Sequence, residues 1–186
     1  MPRFIKRFAT ALASASVLAL AAAGPAHAQE IRIGALYPLS GGLALLGEES
    51  FRGTEIAIAE RNAAGGINGQ KITLVKADAV DANQAVGEAR RLTSVENVVA
   101  VFGSYASGVS SAATQVTELA GVPYFELGAV ADTITGRGFK YVFRSNSTAK
   151  TFASRSVESI VQVVAPSLKA DPKSLKIAIV YEDGPY

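Results

Sequence analysis

Short apolar runs alternating with longer helix-period segments constrain this chain more than any other feature. Residues 31–36, 71–77, 98–102, 122–126, 141–144 and 175–181 read as strands rich in Ile, Val, Leu, Tyr and Phe. Residues 48–64, 107–120 and 149–165 carry helical period, and a further helix follows Asp81, with Gln84 completing a capping-box pattern. Strands separated by helices of this length imply an α/β fold with a doubly wound, mostly parallel sheet and right-handed crossovers. The punctuation agrees. Gly65-Gly66 and Gly121 stop helices, and Asn68-Gly69 and Gly136-Arg137-Gly138 turn the chain.

The N-terminus reads as an address. Arg3, Lys6 and Arg7 form a basic leader, residues 8–23 are apolar, and Ala26-His27-Ala28 supplies a small-residue cleavage site. Residues 1–28 are therefore expected to be a secretory signal peptide that directs the chain to the periplasm. A membrane anchor needs about 20 strongly apolar residues, a longer and less Ala-padded run than this one. Losing those three basic residues from 18 leaves 15 against 16 acidic ones, so the net charge moves from +2 to −1. The remaining Lys and Arg are scattered, which argues against a nucleic-acid partner. The only histidine, His27, departs with the leader, and there is no cysteine. The usual Ser–His and Cys–His catalytic pairs and thiolate or imidazole metal sites are thereby excluded. No cofactor and no catalytic residue is expected.

In open α/β sheets ligands bind outside the carboxyl ends of the strands. Those exits are rich in Gly, Ser and Tyr, a repertoire for binding more than for reaction. The first one, SGGLALLGEE, has Gly42 and Gly47 at phosphate-loop spacing, but Glu48 and Glu49 stand where Lys and Ser or Thr are needed. Ser107 opens a helix, where it either holds an anionic group or simply caps its own helix. Glu126 ends an apolar strand, and either faces a ligand or pairs with Arg144 or Lys140. Asp81 reads as a helix cap and Asp78 as a loop closure instead of a metal pair. Tyr37, Tyr105 and Tyr186 can offer apolar walls with a polar tip.

The segment IRIGALYPLSGGLALLGEESFRGTEIAIAERNAAGGINGQKITLV, followed by VVAVFGSYASGVSSAA, GRGFKYVFRSNST and IAIVYEDGPY, resembles periplasmic binding proteins of branched-chain amino acid type ABC transporters. The resemblance spans the chain after its leader. It implies a type I periplasmic-binding-protein fold of two α/β lobes that close on a small polar ligand. On that reading residues 29–143 are the N-terminal part of the first lobe and 144–148 a hinge crossing. Residues 149–186 are the truncated start of a second lobe, so the fold is incomplete at its C-terminus. Carried over by position, Ser107 holds the ligand carboxylate, and Gly128, Ala129 and Val130 form the next exit loop beside Tyr105 and Glu126. Leu46 stands at an aromatic position that covers the ligand side chain, and Tyr186 reaches in from the second lobe. Val130 lacks a hydroxyl, Leu46 is not aromatic, and Glu126 adds a charge, so leucine, isoleucine and valine fit this pattern poorly. The implied protein is a monomeric solute receptor for an amino acid, an amide or an aromatic acid. Its partner is the membrane permease of an ABC importer. The rival readings are a receptor's ligand-sensing domain and a Rossmann-type enzyme, whose G-x-G-x-x-G motif the first exit lacks.

Overall fold

A computed structural model describes residues 30–181. The expected signal peptide and Tyr186 lie outside the described residues. The sheet has five strands: β1 (Ile31–Tyr37), β2 (Ile72–Asp78), β3 (Ala100–Gly103), β4 (Tyr124–Glu126) and β5 (Val142–Arg144). Their order is β2-β1-β3-β4-β5, and every pairing is parallel. This is the doubly wound α/β architecture that the alternating pattern predicts. The order changes direction at β1, so the exits of β1 and β3 diverge and leave a crevice at the sheet's carboxyl end.

Helix α1 (Ala44–Ala63) covers one face, while α2 (Ala82–Arg90), α3 (Ser107–Ala120) and the short α4 (Thr133–Gly136) cover the other. The larger core joins Leu36, Ala85, Leu92, Val101, Val109, Ala113, Tyr124 and Ile134 beneath α2, α3 and α4. The smaller one joins Ala35, Tyr37 and Phe51 beneath α1. On that same face the β ladder sets Ala35, Phe102, Phe125 and Phe143 in one row. Phe125 meets Phe102 edge-on at 5.4 Å between centroids and stacks on Phe143 at 5.3 Å.

Local signals account for several boundaries. The Asp81 side chain accepts from Gln84 N at 2.9 Å, and Gln84 Oε1 accepts from Val80 N at 3.1 Å, so the cap expected for α2 is formed. Gly121 ends α3 with φ 67°, the left-handed turn that favours glycine.

Two expectations are corrected. The first helix begins at Ala44, after a 3₁₀ turn at Gly41–Leu43, so Glu48 and Glu49 lie beyond its first turn, where the helix dipole no longer favours them. Residues 175–181 form no strand among the described residues, and Ile179 and Val180 are 82% and 97% exposed. An apolar run becomes a strand only when a neighbour takes its backbone hydrogen bonds, and among the described residues none does so here. Between them, α5 (Ala149–Ser159) continues through a π turn at Ile160–Val164 to α6 (Ala165–Ser167), with most of its side chains exposed.

Candidate functional site

The carboxyl ends of β3 and β4 are packed directly against each other. A Cβ added at Gly128 would lie 2.9 Å from Ser104 O and 3.1 Å from Tyr105 Cα, so only glycine lets the two exits approach this closely. Six of the residues singled out in the sequence meet there: Tyr105, Ser107, Glu126, Gly128, Ala129 and Val130. Leu46 stands half-exposed early in α1, beside the neighbouring β1 exit.

Ser107 is buried at the first position of α3, but it does not cap the helix. Ala106 is the N-cap and contributes no side-chain bond. Instead Ser107 Oγ accepts from Ala131 N at 3.2 Å, which ties the α3 start to the β4 exit. A hydroxyl used as an acceptor keeps its hydrogen for donation. The uncapped first turn likewise leaves its leading amides able to donate.

Glu126 is fully buried, and among the described residues it pairs with neither Arg144 nor Lys140, which corrects the ion-pair reading. Oε1 accepts from Ala129 N at 2.7 Å, Gly128 N at 2.8 Å and Ser104 N at 3.1 Å. Oε2 makes a close contact with Ser110 Oγ and lies 3.1 Å from Ser104 N. Arg144 turns away to the carbonyls of Val130, at 3.0 Å, and Ala131. Lys140 offers only its backbone N–H, to Glu118 at 2.8 Å. Burial pushes the Glu126 carboxyl above the usual carboxylate range, and the hydrogen bonds from Ser110 and from the Gly128, Ala129 and Ser104 amides offset only part of that. A carboxyl whose folded value is raised contributes stability that is fully present below its unfolded value. That stability is lost as pH rises through the folded value. Wild type is therefore expected to lose stability relative to Glu126→Gln as pH climbs out of the ordinary carboxylate range, measured by parallel melts from pH 4 to pH 8.

The rest of the loop is held from the β5 exit. Asn146 Nδ2 donates to Gly128 O at 3.2 Å and Ala129 O at 2.9 Å. Leu127 N donates to Gly103 O at 3.0 Å. Of the amides from Leu127 to Ala131, only Val130 N–H has no acceptor among the described residues. The polar capacity left on this loop and the adjoining α3 start is thus weighted toward donors: Val130 N–H, the Ser107 hydroxyl hydrogen and the first-turn amides. Such a surface suits an anionic oxygen group.

Sequence reading missed Ser104, Ser110 and Asn146. Ser110 stands four residues after the α3 N-cap, and Asn146 closes the FRSN motif, but neither carries a signal of its backbone or carboxyl partner. The β1 exit is closed by Asp78, whose Oδ1 accepts from Leu39 N at 2.8 Å, the loop role expected for it. Among the described residues no group of three His, Cys, Asp or Glu is arranged to hold a metal ion.

Residues 30–186 match the family described as periplasmic binding protein. The chain is 58% identical over 175 residues to Leu/Ile/Val-binding protein homolog 7 of Brucella abortus, covering 94% of this chain and 44% of that protein. It is 55% identical over 174 residues to homolog 8 of Brucella suis, covering 94% and 43%. The chain thus spans less than half the length of these curated relatives. Among solved structures, it resembles the branched-chain amino acid transporter substrate-binding protein LivJ from Streptococcus pneumoniae in complex with isoleucine. The TM-score is 0.62 at 34% identity, over 64% of this chain and 34% of that one. It also resembles a solute-binding protein of an ABC transporter from R. palustris in complex with 4-hydroxybenzoate. There the TM-score is 0.63 at 25% identity, over 75% and 36%.

Proposed function

The chain belongs to the periplasmic binding protein family, and on that premise we propose that it supplies one wall of the ligand cleft in an exported solute receptor. Residues 29–143 are the first lobe on this reading, 144–148 the crossing to a second lobe, and 149–186 the start of that lobe. The receptor works as a monomer in the periplasm and delivers its ligand to the permease of an ABC importer, with no catalytic step. The ligand is a small molecule bearing a carboxylate, an amino acid or an aromatic acid.

One observation carries this reading: the β3 and β4 exits spend their acceptors internally and keep donors at the α3 start. A carboxylate there would accept from the Ser107 hydroxyl, the Val130 amide and the first-turn amides, with the helix dipole adding to the attraction. Gly128, Ala129 and Tyr105 shape the floor of the cleft, Leu46 is an apolar wall, and Tyr186 is a contact from the second lobe.

The test is a thermal melt of the complete mature protein with isoleucine, 4-hydroxybenzoate and 4-hydroxybenzamide. A bound ligand at a hundred times its Kd adds about 2.7 kcal/mol of stability. At least one carboxylate is expected to raise the Tm, and the neutral amide is expected to leave it unchanged. A rise with the benzamide equal to that with the benzoate would overturn the carboxylate assignment.

A further inference from the structure

The buried carboxyl group of Glu126 sits behind the cleft wall and touches both strand exits, a place no ligand contact requires. Its Oε1 gathers three amides, two from the β4 exit and one from the β3 exit. Its Oε2 begins a chain of hydroxyls. Ser110 Oγ lies 2.6 Å from Ser104 Oγ, and Ser104 Oγ donates to Ala106 O at 3.3 Å. Ala106 is the N-cap of α3, so the chain runs from Glu126 to the residue that opens the donor surface.

We propose that Glu126 is the positioning residue of this cleft. What its position requires is one oxygen that accepts from the loop amides and a second atom that bonds Ser110, with no requirement for charge. The inference rests on the cleft reading given above, and it names the group that sets the geometry of the cleft wall.

The absence of a need for charge follows from the surroundings. Among the described residues no Lys or Arg nitrogen bonds the carboxyl. Its titratable neighbours are Tyr124 on β4 and Tyr37 on β1, both phenols whose own ionisation burial pushes up, that of Tyr37 to about 12. Tyr37 is in addition hydrogen-bonded to Thr54 at 2.9 Å. With its oxygens held by amides and a hydroxyl and no counter-ion beside it, the group is needed there for its hydrogen bonds and not for its charge. Ser110 Oγ donates to Oε2, and Ser104 Oγ, 2.6 Å from Ser110 Oγ, reaches on to Ala106 O. Glutamine keeps the shape and the oxygen that accepts from the loop amides, including Ser104 N–H, while its NH₂ takes the place of Oε2 and the Ser110 hydroxyl turns to accept from it.

Without these acceptors, the amides of Ser104, Gly128 and Ala129 would be buried with nothing to receive them. The peptide planes on either side of Val130 would turn to find partners. The Ser107–Ala131 tie and the Val130 donor would move with them.

The test compares wild type, Glu126→Gln and Glu126→Leu in the complete mature protein. It reads the backbone amide resonances of Gly128 and Ala129 by ¹⁵N NMR at pH 7, and binding of isoleucine and 4-hydroxybenzoate by calorimetry. Glu126→Gln is expected to keep both amides in their hydrogen-bonded positions and to bind whichever probe wild type binds within about threefold. Glu126→Leu, of similar size, is expected to shift both amides and weaken that binding about tenfold or more through lost preorganisation. If Glu126→Gln moves the amides as far as Glu126→Leu does, or if Glu126→Leu leaves them in place, the assignment is overturned. The amide readings decide even if neither probe binds wild type, an outcome that would count against the ligand class alone. Should Glu126→Leu not melt cooperatively, Glu126→Gln still decides.

Discussion

Replacing Gly103 with alanine is expected to destabilise the protein by about 2–4 kcal/mol, with the loss centred on the cleft. Gly103 ends β3 and pairs with Leu36 of β1 across the centre of the sheet. A Cβ built there would lie 2.1 Å from Leu36 O, 3.1 Å from Leu36 C and 3.2 Å from the Tyr124 hydroxyl. The first two of these neighbours are strand backbone and cannot rotate aside, so β1 and β3 must separate where the crevice opens. Gly47→Ala is expected to act alike, because its Cβ would meet Pro38 O at 2.0 Å and push the start of α1 off the β1 exit. Gly53→Ala is the contrasting case. Nothing lies within 4 Å of its added Cβ, and it sits inside α1, so the same change is expected to stabilise by about 0.5–1 kcal/mol. Urea unfolding of the three variants checks the signs together. A Gly103→Ala protein as stable as wild type would show that the sheet yields at this point.

Ser107→Ala is expected to show two separable losses. Without ligand, the buried Ala131 N–H loses its acceptor, which costs about 1–3 kcal/mol of stability. With ligand, a donor to a charged oxygen is gone, and affinity for a carboxylate is expected to fall about 10- to 100-fold. Calorimetry on protein that is fully folded at the working temperature separates the two. A stability loss with unchanged affinity would make Ser107 a loop tie and nothing more.

Much of the fold was legible because its determinants are local. Gly121 supplies the left-handed residue that stops α3, and Ser107–Ala120 reads as a helix over that same span. Asp81 and Gln84 carry their cap in their own side chains. The β1 and β3 runs announce themselves as apolar segments of a parallel sheet covered on both faces, and β2 as the edge strand beside them. What failed was non-local. Residues 175–181 have the right composition for a strand, but a strand is defined by its neighbour. Gly41 and Gly42 suggest loop and move the expected start of α1 too late, whereas a 3₁₀ turn carries the chain straight into the helix.

The site divides along the same line. The clustering of Ser107, Gly128 and Val130 at strand exits follows from topology and was available in advance. The role of Glu126 was not. A carboxylate that ends one strand, with Arg144 ending a later one, invites an ion pair, yet its partners are mostly backbone amides. Every residue type except proline has an amide, so nothing in the sequence marks the ones that matter.

The ties from the β5 exit have a mechanical consequence. Arg144 grips the carbonyls of Val130 and Ala131, and Asn146 grips those of Gly128 and Ala129. Ser145 N donates to Glu126 O at 3.1 Å, Ala149 N to Val130 O at 2.8 Å, and Lys150 N to Asp132 Oδ2 at 3.1 Å. From Arg144 to Lys150 the chain is thus riveted to the cleft loop and not draped across it. Any displacement of α5 against the sheet would pull first on the peptide groups of Gly128 to Ala131 and on Asp132. The segment that leaves the sheet and the loop from Gly128 to Asp132 are thus one mechanical unit.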